Sequence, residues 1–185
     1  MKRNYLILTA LLLILSSNSN AQPNKSPYVG QQDREIRALT EEDIQGYLEG
    51  WGMGLAKAAE LNHYPGPIHV IELSTELGLP DVQLEKTRAI FSEMQQEAKR
   101  LGQLIVVQEE GLDKLFNSLK MDPGKLQESI MHIADLNGKL RLTHLMAHLQ
   151  MKSILSPEQI LKYDVLRGYA SSQTHHPMGH KPIKH

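Results

Sequence analysis

The sequence predicts an all-α protein: a long antiparallel helical hairpin with shorter flanking helices. Three observations carry that expectation. The apolar content is mainly Leu, Ile, Met and Ala, and aromatics are scarce at 5%, with Trp51 the sole tryptophan. No stretch alternates apolar and polar residues over enough positions to make a half-buried strand. Two long segments instead repeat their apolar residues at threes, fours and sevens, and Met121-Asp122-Pro123-Gly124 separates them as a turn.

The elements follow in order. Residues 22–38 mix Pro, Asn, Lys, Ser and Gly without periodicity and read as a disordered lead-in. A helical domain then spans 39–169. Its first helix starts at a Thr40 cap and runs toward Leu61, although glycines at 46, 50, 52 and 54 each cost it about 1 kcal/mol relative to Ala. Either that segment is broken or the glycines admit a close neighbour. Two prolines around a glycine make 62–67 a loop. A short helix follows over 68–77, with Gly78 as its C-cap. The first long helix runs from Asp81 to Leu119 on a stripe including Leu84, Phe91, Met94, Leu101 and Ile105. The return helix runs over 125–154, with Leu126, Ile130, Ile133, Leu140, Ala147 and Met151 on its stripe. A last helix begins at Pro157 and fades after Tyr169. Such a stripe is too continuous for two short helices to cover, so a homodimer of hairpins is expected; a compact monomer with the first helix folded back is the alternative.

Residues 1–21 have the pattern of a cleaved secretory signal. Lys2 and Arg3 make the charged start, Leu6 to Leu15 the apolar run, and Ser19-Asn20-Ala21 a small-x-small cleavage site. The expected location is therefore periplasmic; an uncleaved N-terminal membrane anchor is the alternative, disfavoured because a span needs about 20 apolar residues. With no cysteine there is no disulfide to staple the fold, which must rest on packing, a metal or a partner. A formal net charge of −1 gives no basic surface for nucleic acid. No phosphate-binding glycine loop, nucleophilic cysteine, serine elbow or His-Glu-x-x-His appears, so the chain does not read as an enzyme.

One pattern occurs twice. Leu155-Ser156-Pro157-Glu158-Gln159 is echoed by Leu79-Pro80-Asp81-Val82-Gln83, and Leu39-Thr40-Glu41-Glu42-Asp43 is a half-copy without the glutamine. Each has the chemistry of a helix start. Ser156 can accept from an orphan N–H, Pro157 suits the first helical position, and Asp81 and Glu158 put negative charge at the positive end of the helix dipole. Two such starts bracketing a long hairpin resemble the Spy/CpxP-like family of periplasmic proteins, named for a Leu-Thr-x-x-Gln motif. The resemblance covers residues 68–169, with Leu79 and Gln83 in one copy and Leu155, Ser156 and Gln159 in the other; Pro80 and Ser156 stand where the motif has Thr.

His144 and His148 stand at i, i+4, so both imidazoles leave one helix face a turn apart, the spacing at which two nitrogens reach one cation. Met151 offers a thioether further along, and His69 precedes Glu72 on the short helix. The resemblance implies a metal site of heavy-metal sensor type, joining His69 before the hairpin to His144 and His148 on the return helix. The sensor pattern also has His four before the methionine, where Ala147 stands. The alternative for His144 and His148 is a half-buried place on the apolar stripe, and His63 and His132 read as surface histidines. The tail, 170–185, carries His175, His176, Met178, His180 and His185 around two prolines, a composition for weak binding of Cu, Zn or Ni or for an incidental polar tail.

The resemblance implies two functions. One is a periplasmic metal-binding protein whose state is read by a membrane-bound sensor or anti-sigma partner. The other is an ATP-independent chaperone holding unfolded client proteins on a methionine-bearing face with Met94, Met131, Met146 and Met151. A helical interaction module that dampens an envelope-stress sensor is a third.

Overall fold

The computed structural model describes residues 25–171. The signal-like segment and the histidines and Met178 of the tail lie outside the described residues. The chain divides into units of Met1–Gln32 and Asp33–His185. In the first, residues 26–31 form tight turns closed by Val29 N–H to Ser26 O and Gln31 N–H to Tyr28 O. All described helices belong to the second unit, and no strand occurs among the described residues.

Helix α1, Glu41–Glu49, begins on a full capping box, because Asp43 does there what Gln159 does at the start of the last helix. The Asp43 N–H donates to Thr40 Oγ1 at 3.0 Å, and its carboxylate accepts the Thr40 N–H at 2.9 Å. The helix does not run on to Leu61. Gly50 adopts the left-handed conformation (φ 65°) and stops it, since the Cβ of any other residue would be strained there. The chain loops through Gly50-Trp51-Gly52-Met53-Gly54 and re-forms one turn as α2, Lys57–Glu60. The expected single helix over 68–77 is likewise two pieces, α3 (Pro67–Glu72) and α4 (Ser74–Leu77), with Gly78 as the left-handed cap of the second.

Helices α5 (Asp81–Asn117) and α6 (Pro123–Ile154) are the long pair, and α7 covers Pro157–Leu166. Asp122 caps α6, its side chain accepting the Lys125 N–H at 3.0 Å, and Ser156 caps α7 in a second capping box. The two full copies of the repeated motif meet in space. Gln83 and Gln159 exchange side-chain hydrogen bonds at 2.8 and 3.1 Å, and Gln83 also donates to the Ile154 carbonyl at 2.7 Å. The start of α5 is thereby tied to the end of α6 and the start of α7, which makes α5 and α6 antiparallel.

Two apolar clusters fill the interior. Val70, Leu77, Met151, Leu155, Ile160 and Tyr163 join α3, α4, α6 and α7. Ala98, Leu101, Ile105, Leu136 and Leu140 join α5 and α6, with Tyr47 of α1 and Leu55 packed on them. Helix α1 lies on α5 at Gly102, where an added Cβ would fall on the Tyr47 carbonyl. Close approach is thus achieved by a glycine of the long helix, and Gly50 both ends α1 and lies against Gln95 and Lys99 of α5, while Gly46 stays within α1 against Met53. Residues 33–38 are not a disordered lead-in: Ile36 is buried, and Arg37 pairs with Asp113 at 2.6 Å. Toward the α5–α6 turn, cover is lost. Leu126 and Ile130 are exposed although they continue the return-helix stripe, and Phe116 and Leu119 are exposed opposite them. No described helix is long and apolar enough to cross a membrane.

Helix propensity alone says that Gly→Ala stabilises an exposed helix interior, and Gly138, with open space around it, should gain about 0.5–1 kcal/mol in urea unfolding. Gly102→Ala should instead lose about 2 kcal/mol or more, because the new methyl meets backbone rather than a movable side chain. Replacing Gln159 by Leu should cost about 1–2 kcal/mol by stranding Gln83 and the α7 cap. Since the two glutamines share bonds, Gln83→Leu added to it should cost less than its effect alone, which a double-mutant cycle reads directly.

Candidate functional site

The loop 62–66 is held by side chains from two helices. Lys152 Nζ donates to the His63 carbonyl at 2.7 Å, His148 Nδ1 lies 2.8 Å from the Tyr64 carbonyl, and the Gly66 N–H donates to the Tyr163 hydroxyl at 3.3 Å. His63, with φ 65°, turns its ring so that Nδ1 lies 2.7 Å from the buried carboxylate of Asp164. It is therefore an anchored residue and not an ordinary surface histidine; His132 is exposed. Next to the loop, Glu60 Oε1 accepts from Tyr163 at 2.6 Å and Tyr169 at 3.1 Å and lies 3.4 Å from Arg167 Nε. Burial, and then the bond to Glu60, push the Tyr163 hydroxyl far above the ordinary phenol range, so it remains a donor.

Above this network opens a cleft of about 560 Å³. Buried His144 and His148 and the partly buried Glu60 line it; Phe91 and Met94 of α5 form a half-buried wall; Trp51 and Met53 stand exposed at the rim. His69 also borders it. His144 and His148, paired by their spacing, and His69, joined to them by the resemblance, thus border one cleft. Met151 does not: it is fully buried in the cluster around Val70 and Tyr163, where its thioether serves packing and not ligation. The methionines of the supposed client face divide too, with Met131 and Met146 exposed and Met94 half-buried.

The histidines differ in chemistry. A carbonyl only accepts, so His148 Nδ1 carries the hydrogen, and the neutral ring keeps its lone pair on Nε2. His69 has the same disposition, its Nδ1 lying 2.8 Å from Glu72 Oε2. Metal-ligating histidines characteristically have the other ring nitrogen held in this way. His144 Nε2 is buried and without a hydrogen-bond partner, as is Glu60 Oε2. Burial, and then the proximity of His148, hold the His144 pKa below the usual histidine value, which keeps the ring neutral near pH 7. Donor type fits a transition metal. Among the described residues, however, no three His, Asp or Glu side chains are gathered closely enough to hold one.

Sequence reasoning missed Glu60, Trp51, Tyr163, Asp164 and Arg167. Trp51 carried one signal, a lone tryptophan between glycines; the others meet the site only through the fold. No family model, curated protein or solved structure matches the chain.

A histidine with a lowered folded pKa destabilises the fold on the acid side, because the unfolded chain takes the proton first. Stability should therefore fall as pH drops through the normal histidine value near 6.5 and on toward the depressed one. Urea midpoints between about pH 7.5 and 5 should decline more steeply for the native chain than for His144→Leu.

Proposed function

We propose that this chain is an exported, non-enzymatic metal-binding protein of heavy-metal sensor or resistance type, related to the Spy/CpxP-like proteins. The observation that carries the reading is the pair His144 and His148, a turn apart in one cleft that His69 also borders. Nε2 of His148 has its lone pair free, and Nε2 of His144 has no partner. The paired imidazoles of α6 would hold a copper, zinc or nickel ion, and His69 would complete the site. Because the three are not gathered beforehand, loading draws α3 toward α6. That displacement is what a membrane-bound sensor or anti-sigma partner reads. The tail histidines collect the ion at lower affinity.

The experiment is a calorimetric titration of the chain with zinc. Imidazole must be neutral to ligate, so affinity should weaken as pH falls through about 6.5. His144→Ala with His148→Ala should remove the tighter phase. Truncation after Tyr169 should remove only a weaker phase of higher stoichiometry. If the truncation abolishes all uptake, the helical site does not exist.

A specific observation favours the chaperone as second reading. Leu142, Met146 and Leu149 form an exposed apolar stripe on α6, and Leu142 and Met146 border a groove of about 300 Å³ that Ile90 and Met94 line from α5. A face of that kind suits pairing of two copies or the holding of unfolded clients. It requires neither His144 nor His148, so loss of metal uptake would leave it standing.

A further inference from the structure

The cleft is far larger than an ion requires. Six waters around a cation fill about 180 Å³, whereas the cleft offers about 560 Å³, within the range of pockets for small organic ligands. Its walls are apolar and adaptable: the Phe91 ring and the Met94 thioether on one side, Trp51 and Met53 at the mouth. The rim segment alternates glycine with these two large residues, and Met53 is held at φ 43°, so their position is imposed by the loop.

The floor has the opposite character. Glu60 Oε1 already has its donors, but Oε2 is buried with no partner. An unmatched carboxylate oxygen away from water costs free energy until a donor reaches it. His148 Nδ1, 3.7 Å away, spends its hydrogen on Tyr64. His148 Nε2 presents a lone pair, and the backbone of Gly66 lies against both groups with no side chain between. A Cβ there would stand 3.3 Å from His148 Nε2 and 3.4 Å from Glu60 Oε2. The spare capacity at the floor is that of an anion and imidazole lone pairs, which calls for a positively charged group bearing several N–H donors.

We infer that the cleft binds a small organic amine, its protonated nitrogen at Glu60 Oε2 and His148 Nε2 and its apolar body against Phe91, Met94 and Trp51. A carboxylate of the same shape would meet Lys57 and Arg167, which both border the cleft, but Arg167 is already engaged at Glu60 Oε1, and at the floor the carboxylate would face the unpartnered Oε2. Charge therefore selects the ligand, and the walls supply most of the affinity. The inference does not rest on the metal reading.

Trp51 is the sole tryptophan, so its emission reports occupancy of the rim without a label. The full chain, with a chelator present, is titrated with 2-phenylethylamine, 3-phenylpropionate and the neutral propylbenzene. Saturable one-to-one binding of the amine is expected, at least about tenfold tighter than either analogue. Glu60→Gln and Gly66→Ala should each weaken the amine by about tenfold or more, the first by removing charge and the second by filling the approach. Phe91→Ala should weaken amine and propylbenzene alike. Circular dichroism melts identify any variant that is unfolded, and the selectivity of the unaltered chain stands independently of them. Equal response to the three probes, or no saturation by the amine, overturns the proposal. Phe91→Ala also separates the two readings, since its ring offers no metal ligand: it should weaken the amine and leave zinc uptake unchanged.

Discussion

The close seating of α1 on α5 is the contact on which the site depends. The Tyr47 carbonyl rests where a Cβ of residue 102 would be, so only glycine permits the approach. Near this contact the chain ends α1 at Gly50, whose own missing Cβ lets it lie on Gln95 and Lys99 of α5. From there the glycine-rich loop sets Trp51 and Met53 at the mouth of the cleft. Moved outward, α1 would take the rim with it, leaving Phe91 and Met94 exposed as an ordinary apolar patch.

The floor depends on a different economy. Three side chains of α6 and α7 satisfy the backbone of the loop after α2, a segment with no ladder or helix of its own. His148 has two tasks as a result. Its Nδ1 is structural and its Nε2 is spare, and the structural bond is what makes the spare nitrogen dependable. Glu60 is divided in the same way, with Oε1 bound into the tyrosine and arginine network and Oε2 unmatched. The site thus consists of the second halves of groups whose first halves hold the fold together.

Much of the fold was legible because helix starts and stops are local events. Thr40 and Ser156 cap the helices that follow them, and Gly78 ends α4, through bonds reaching only a few residues along the chain; Asp122, expected within the turn, caps α6 in the same way. Apolar periodicity over α5 and α6 reported the long pair for the same reason. It overstated cover near the turn, since periodicity marks the face that is apolar and not whether a neighbour reaches it; Leu126 and Ile130 are the instances. The i, i+4 spacing placed His144 and His148 on one face, while Met151, one turn further on, met α7 and went into the core.

By itself, then, the sequence determined the all-α class, the break between the two long helices (though Pro123 and Gly124, expected in the turn, already belong to α6), the caps at Thr40, Ser156 and Gly78, and the sharing of one helix face by two histidines. Each follows from dihedral preference or helical repeat within one segment. Tertiary structure alone decided that the two motif glutamines clasp each other, that Gly102 admits α1, and that Glu60, distant in sequence, lies beside His148. These depend on which surfaces come together, and no local preference encodes a partner from another part of the chain.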